Sequence, residues 1–290
     1  MLHTLEPETE SPMIRIETQH GWWLVTHSDH ARLAAAIARE WGNESFRRPE
    51  PRTSLLSAIQ RHEDAMHPLD QTPEITADGQ PLGFSHEMLG KKLPLDGANL
   101  DQNLALRTQA VRLVAADDPY AALLIAMQTE HELAHLADRS ALTAQQDSLL
   151  DQFLDEEVRF RDQLRLEIEE DPFIAARQKT THWIGENFAL FQAWDRLSML
   201  LCLSLNGAAP EQGTGHLPAL PQQSGKAISV RVESPGPRHF RLDPWPLAQP
   251  ELRLELAARQ VIGRQFSGRG TLADAYNAAP EERFIVRLSA

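Results

Sequence analysis

The stretch GWWLVTHSDHARLAAAIAREWGN, residues 21–43, changes its hydrophobic period in the middle. Four of its first six residues, Trp22, Trp23, Val25 and Thr26, are aromatic or β-branched, as strands favour, and the preceding MIRIE (13–17) supplies a partner across a turn near Gly21. From Ser28 onward the apolar residues Leu33, Ala34, Ile37 and Trp41 recur every three or four positions. A hairpin followed by a helix is therefore expected, with Ser28 as N-cap and Gly42-Asn43 as the stop. His30 falls on the same face as the apolar residues of that helix.

Working outward, TSLLSAIQRHEDAM (53–66) predicts a second helix capped by Thr53. Further helices are expected over 118–138, 145–170 and 175–205. Residues 67–100 hold Pro68, Pro73, Gly79, Pro81, Gly83, Pro94 and Gly97 and read as one long loop, a length that in compact domains goes with function. NGAAPEQGTGHLPALPQQSG (206–225) reads as a connection. After it the period becomes two, in AISVRVE, HFRLD, LRLELAARQV and RFIVRLSA. The organisation expected is a disordered acidic tail over 1–12, a helical core with its hairpin over 13–205, a linker over 206–225 and a β-rich segment over 226–290. The fold class expected is mainly α: a helical bundle carrying a small antiparallel sheet made by the C-terminal strands, with or without the N-terminal hairpin.

The formal charge of −13 over 290 residues argues against nucleic acid and anionic membrane surfaces as partners, since both repel an acidic chain. A small-molecule substrate remains compatible with it. No stretch of eighteen apolar residues appears, so no membrane span is expected. The chain has one cysteine, Cys202, and its N-terminus lacks the basic start and apolar stretch of a signal peptide. A reducing, cytoplasmic setting is the expectation.

Function is sought in ionisable residues that interrupt apolar stripes. His62 interrupts Leu55, Ile59 and Met66; His131 and His135 continue Tyr120, Leu124 and Met127; Asp195 interrupts Ile184, Phe188, Phe191, Met199 and Cys202. Burying one such group alone costs kilocalories, and four helices each aiming one inward is costly unless the groups meet. Imidazoles and carboxylates that meet in a core commonly do so around a metal ion. The competing reading is a hydrogen-bonded core network with no catalytic role. A third reading comes from His131-Glu132-Leu133-Ala134-His135, the H-E-x-x-H pattern of zinc proteases, with Glu156 or Glu157 in range as a third ligand. The pattern arises readily by chance in so histidine-rich a chain, and charged Glu130 precedes it.

The order His30, then His62-Glu63, then Asp195 resembles the HD superfamily of metal-dependent phosphohydrolases, whose pattern is a histidine, a later His-Asp doublet and a distant aspartate. The segments GWWLVTHSDHARLAAAIAREWGN, AIQRHEDAMHPLDQTPEITADGQPLGF, YAALLIA, WDRLSMLLCL and FRLDPWPL resemble, in order and spacing, a bacterial family catalogued as domain of unknown function 3891. The resemblance runs from residue 13 to the C-terminus. It implies an HD-like helical fold and a metal-dependent hydrolase acting on a phosphoester, with His30, His62, Glu63 and Asp195 holding a divalent metal (Mn, Fe or Zn). Asp64 would orient the water, and His131 and His135 would wall the site or hold a second metal. The chain departs from that family at His62-Glu63-Asp64-Ala65-Met66, where a His-Asp-Asp-Gly-Trp-like run is typical, and at Gln128, where a histidine is typical. His131, one turn on, is placed to replace that imidazole. The departures leave a rearranged site or one turned to a structural role.

Overall fold

The computed structural model describes residues 13–95, 97, 99–207 and 215–290. The acidic tail 1–12, and residues 208–214 of the expected connection, lie outside the described residues.

The hairpin forms as the sequence predicts: β1 (Met13–Glu17) pairs antiparallel with β2 (Gly21–Thr26). Helix α1 (His27–Glu40) follows without a break, and its N-cap is Thr26 rather than Ser28, accepting from the Asp29 backbone N–H. The helix ends where predicted because Gly42 adopts φ +104°, and a Cβ there would sit 2.4 Å from Arg48 Cγ. Helix α2 (Arg52–Arg61) has Pro51 as its N-cap, with no side-chain hydrogen bond, two residues before the expected cap Thr53.

Residues 67–95 are mostly irregular, with one turn of helix α3 (His67–Asp70) and the first half of a two-strand ladder, β3 (Leu93–Pro94) with β4 (Ala137–Asp138). Three longer helices fill the middle of the chain: α4 (Leu100–Ala115), α5 (Pro119–Glu130) and α6 (Ala144–Glu170). Helix α5 does not run on to 138 but passes into a π-helical turn over His131–Leu136. Helix α7 (Thr181–Leu203) packs against α1, α2 and α5.

The C-terminal third is where the expected fold class fails. Strands β5 (Gly215–Pro221), β6 (Ala227–Gly236), β7 (His239–Asp243), β8 (Glu251–Ile262) and β9 (Glu281–Ser289) join the hairpin in one seven-stranded sheet, ordered β1-β2-β8-β9-β7-β6-β5. The sheet is mixed, because β7 and β9 run parallel, and it curls into a half-barrel. The protein is therefore not a mainly α bundle with a small antiparallel sheet. Two features enlarge the sheet. Strand β2 pairs with β8 across some 240 positions of sequence, from Gly21↔Ile262 to Leu24↔Arg259, and β5 forms inside the stretch read as a connection. The approach at Gly21 is so close that a Cβ there would stand 2.0 Å from the Val261 carbonyl oxygen.

Both faces of the β2 region are covered, which explains why nearly all of GWWLVT is buried rather than alternate residues. Trp23 and Val25 face the main core with α1, α2, α5 and α7. Trp22 and Leu24 face a smaller cluster with Val261 and with Leu272 and Tyr276 of helix α8 (Arg269–Ala278). A third cluster, including Leu100, Leu133, Leu150 and Phe153, fastens α4, the π-turn and α6 together. Among the described residues no helix is long and apolar enough to cross a membrane.

Candidate metal centre

Three of the residues singled out on apolar stripes come together where α1, the C-terminal end of α2 and α7 meet. His30 Nε2 stands 2.8 Å from Asp195 Oδ1, and His62 Nε2 stands 3.2 Å from the same oxygen. The ligand-capable atoms of His30, His62 and Asp195 all lie within 4.8 Å of one another. His30 is fully buried and the His62 side chain is 2% exposed, whereas the Asp195 side chain is 23% exposed and opens the group outward.

The far sides of both imidazoles fix which nitrogen carries the proton. His62 Nδ1 is 2.8 Å from the Ile59 carbonyl oxygen, which only accepts, so Nδ1 carries hydrogen and donates. Ser198 Oγ donates to the Asp195 carbonyl oxygen at 2.8 Å, so its lone pair faces His30 Nδ1 at 2.9 Å and accepts from it. Each neutral ring then turns the lone pair of Nε2 toward Asp195 Oδ1. Two lone pairs and an anionic oxygen repel one another unless a cation lies among them, either a proton or a metal ion.

The protonated solution is visible in the electrostatics. Burial works against charge on His62, but the hydrogen bond to Asp195 and the charges of Glu63 and Asp195 outweigh it and raise the imidazole to about 9. Burial likewise opposes ionisation of Asp195, and the bonds and charges of His30 and His62 hold it well below the usual carboxylate range. The metal solution also fits. Ligands about 2.1 Å from a shared ion and at right angles stand about 3 Å apart, close to the 2.8 and 3.2 Å found. A donor set of two imidazoles and a carboxylate suits Mn²⁺, Fe²⁺ or Zn²⁺. Donation of the second ring nitrogen to a carbonyl and a hydroxyl is how metal-bound histidines are usually oriented.

The other expected residues separate into two groups. Glu63 lies at the margin, 3.6 Å from His62 Nε2. Burial pushes its carboxyl up, and the charges of His27, His62 and His30 outweigh that and lower it. Asp64, expected to orient water, is turned toward solvent and pairs with Arg61 at 3.0 Å. His131 and His135 stack edge-on, with ring centres 5.7 Å apart, and His135 is exposed. Neither joins His30, His62 and Asp195, and among the described residues they meet no third metal-ligand side chain. His131 instead touches Phe188, which stacks on Phe191, which in turn meets the His62 ring edge-on.

Within the H-E-x-x-H stretch it is Glu132 that reaches the centre. The buried amide of Gln128 bridges Glu132 Oε1 at 3.0 Å and Asp195 Oδ2 at 3.4 Å, and Arg107 holds Glu132 Oε2 at 3.0 Å. Burial raises the Glu132 carboxyl; Arg107 opposes this, and the charges of Glu63 and Asp195 add to it. The sequence names Glu132 only as the glutamate of the H-E-x-x-H pattern and does not place it beside Asp195. Its one signal was the i, i+4 spacing from Gln128, which puts both on one helix face.

His27 and Asp70 were also overlooked. Asp70 is buried at the start of α1, accepting from the backbone N–H groups of His27 at 2.9 Å and Ser28 at 3.1 Å and lying 3.2 Å from His27 Nδ1. It anchors the helix that carries His30 to α3.

The family model described as protein of unknown function, DUF3891, matches residues 13–262, most of the chain. This chain belongs to the DUF3891 family. The match spans the hairpin, the helices that carry His30, His62 and Asp195, and the sheet as far as β8. No curated protein and no solved structure matches this DUF3891 chain.

Proposed function

We propose that this DUF3891 protein is a metal-dependent hydrolase in which His30, His62 and Asp195 hold one divalent transition-metal ion. What supports the reading most is the pair of imidazoles, each locked by its Nδ1 hydrogen bond into the tautomer that aims Nε2 at one carboxylate oxygen. Such a metal supplies a bound water of lowered pKa and polarises the bond to be cleaved. Glu63, 3.6 Å from His62, is positioned at the margin as a further ligand or as an acceptor for a proton of bound water. Phe188 and Phe191 exclude water from one side of His62, and Glu132 and Gln128 present oxygen and nitrogen on the side of Asp195.

The reaction class rests on the ligand order, which resembles that of HD-type phosphohydrolases although the architecture is different. A phosphoester is the substrate class proposed, and the acidic margin of the site requires the metal to offset the charge of such a substrate.

A second reading is favoured by one observation: the three side chains can satisfy each other with protons alone, His62 as imidazolium against Asp195. On that reading the cluster is a structural network. Metal analysis of protein purified without chelator, beside the Asp195→Ala variant, separates the two. Near-stoichiometric Mn, Fe or Zn that disappears in the variant supports the hydrolase; absence of metal from both supports the network.

A further inference from the structure

Asp195 meets both imidazoles through Oδ1, and its Oδ2 lies toward the amide of Gln128. Gln128 is 7% exposed, and its nitrogen donates to Glu132 Oε1 at 3.0 Å and to Asp195 Oδ2 at 3.4 Å. An amide nitrogen carries two hydrogens and a carboxylate accepts, so the nitrogen end belongs toward this pair. The shorter bond, to Glu132, fixes the amide, and the longer one reaches Asp195. Behind them Arg107 of α4 donates to Glu132 Oε2 at 3.0 Å, so the anchor of the amide is itself anchored. The Gln128 oxygen, on the far side of the amide, is buried without a hydrogen-bond partner. An unmet buried acceptor is costly. The side chain accepts that cost to keep its nitrogen aimed at the two carboxylates.

We infer that Gln128 is a positioning residue that makes Asp195 a one-oxygen ligand, engaging Oδ2 so that Oδ1 alone reaches the metal ion. The inference rests on the metal reading of His30, His62 and Asp195. A carboxylate can bind an ion through one oxygen or through both. Ligation through both would occupy a position that the attacking water or the substrate needs. A neutral donor suits this task. Lysine or arginine in its place would set a positive charge on Asp195 in competition with the metal, whereas an amide directs the carboxylate and leaves its charge for the ion. Hydrogen-bond partners of ligating carboxylates contribute to metal affinity in this way.

The test uses Co²⁺ as a visible probe, titrated into the metal-stripped full chain. Wild type is expected to bind one equivalent. Gln128→Met, close in volume but lacking a donor, is expected to bind about 10–100-fold more weakly. Its absorption bands should also change in position and intensity, because the freed Oδ2 enters the coordination shell. The bands decide: an unchanged spectrum, at whatever affinity, makes Gln128 merely structural and overturns the inference while the metal reading stands. No bound Co²⁺ in wild type overturns both. Should Gln128→Met misfold, the infrared difference between Zn²⁺-loaded and stripped wild type decides instead. Widely separated carboxylate stretches mark ligation through one oxygen and are expected; closely spaced ones mark ligation through both and contradict the inference.

Discussion

Helix α7 carries two buried polar clusters about two turns apart, and they are built on opposite rules. Near its N-terminal end, Arg47 donates to Glu186 and to Asn187 Oδ1 at 3.1 Å, and Asn187 Nδ2 donates to the Glu50 carbonyl at 2.8 Å and to the Tyr120 hydroxyl at 2.7 Å. Tyr120 passes its own hydrogen to the Gln178 carbonyl, and Arg47 stacks over Trp183. Apart from Arg47 Nε, each donor there meets an acceptor and the cationic charge is supplied by the protein. Further along, around Asp195, acceptors crowd together: the two imidazole Nε2 atoms meet Asp195 Oδ1 and Glu63 lies at the margin, while Glu132 is paired with Arg107 and the Gln128 amide. The first network closes on itself, whereas the second needs a cation among its acceptors, which protons on the imidazoles or a metal ion can supply.

That contrast can be broken by exchanging effects between the clusters. Arg47→Met removes the guanidinium from Glu186 and the donor from Asn187 Oδ1 in the interior and should lower unfolding free energy by about 3–5 kcal/mol in chemical denaturation, while metal content is unchanged. Asp195→Asn should do the reverse, abolishing metal binding while costing less stability in metal-free protein than Arg47→Met. Equal losses of stability in the two variants would mean the clusters do the same job.

Next in size is a pH effect confined to metal-free protein. His62 is raised from 6.5 unfolded to about 9 folded, so its stabilisation is whole below pH 6.5 and is lost as pH rises toward 9. That loss is on the order of 3 kcal/mol and should be absent from His62→Gln. Asp195, lowered on folding, acts oppositely: its contribution holds above its ordinary value of 3.8 and fails only on further acidification. Thermal unfolding of stripped protein from pH 6 to pH 9 measures the His62 effect directly.

Smaller still, Ser198→Ala frees the His30 ring to adopt the other tautomer and should weaken metal binding by about 10–100-fold, read by competition with a chelating dye. Ile59 cannot be tested in this way, since it acts through its backbone. The smallest effect expected is at Thr143, whose capping box with Gln146 starts α6 far from the metal centre. Thr143→Ala should cost about 1 kcal/mol and leave metal binding untouched.

How much of this was legible in the sequence differs by residue. His30, His62 and Asp195 could be found because each interrupts an apolar stripe, and a buried ionisable group needs a partner wherever it lies. That all three meet was an inference from cost, and the distances agree with it. Glu132 was hidden by the histidines on either side of it. Their i, i+4 spacing suggested a joint ligand pair, but the chain leaves α-helical geometry at His131 and the two rings turn to each other and to Phe188. Asp64 looked like a site residue only through its neighbours in the doublet, yet a residue two positions past His62 points elsewhere and finds Arg61. The strands were visible from their alternation, but the sheet was not. Alternation gives a strand without naming its partner, and the β2–β8 pairing joins residues some 240 positions apart. Strand β5 carries Pro218 and Pro221, which reads as a connection and is tolerated because β5 is the sheet edge.

The central claim is that His30 Nε2, His62 Nε2 and Asp195 Oδ1 converge on a metal ion rather than on protons. The most direct test is a crystal of protein grown without chelator, measured on both sides of the Mn, Fe and Zn absorption edges. The account predicts one anomalous peak within bonding distance of those three atoms. An ordered, fully loaded crystal with no anomalous density there, and the imidazoles hydrogen-bonded straight to Asp195, would contradict it.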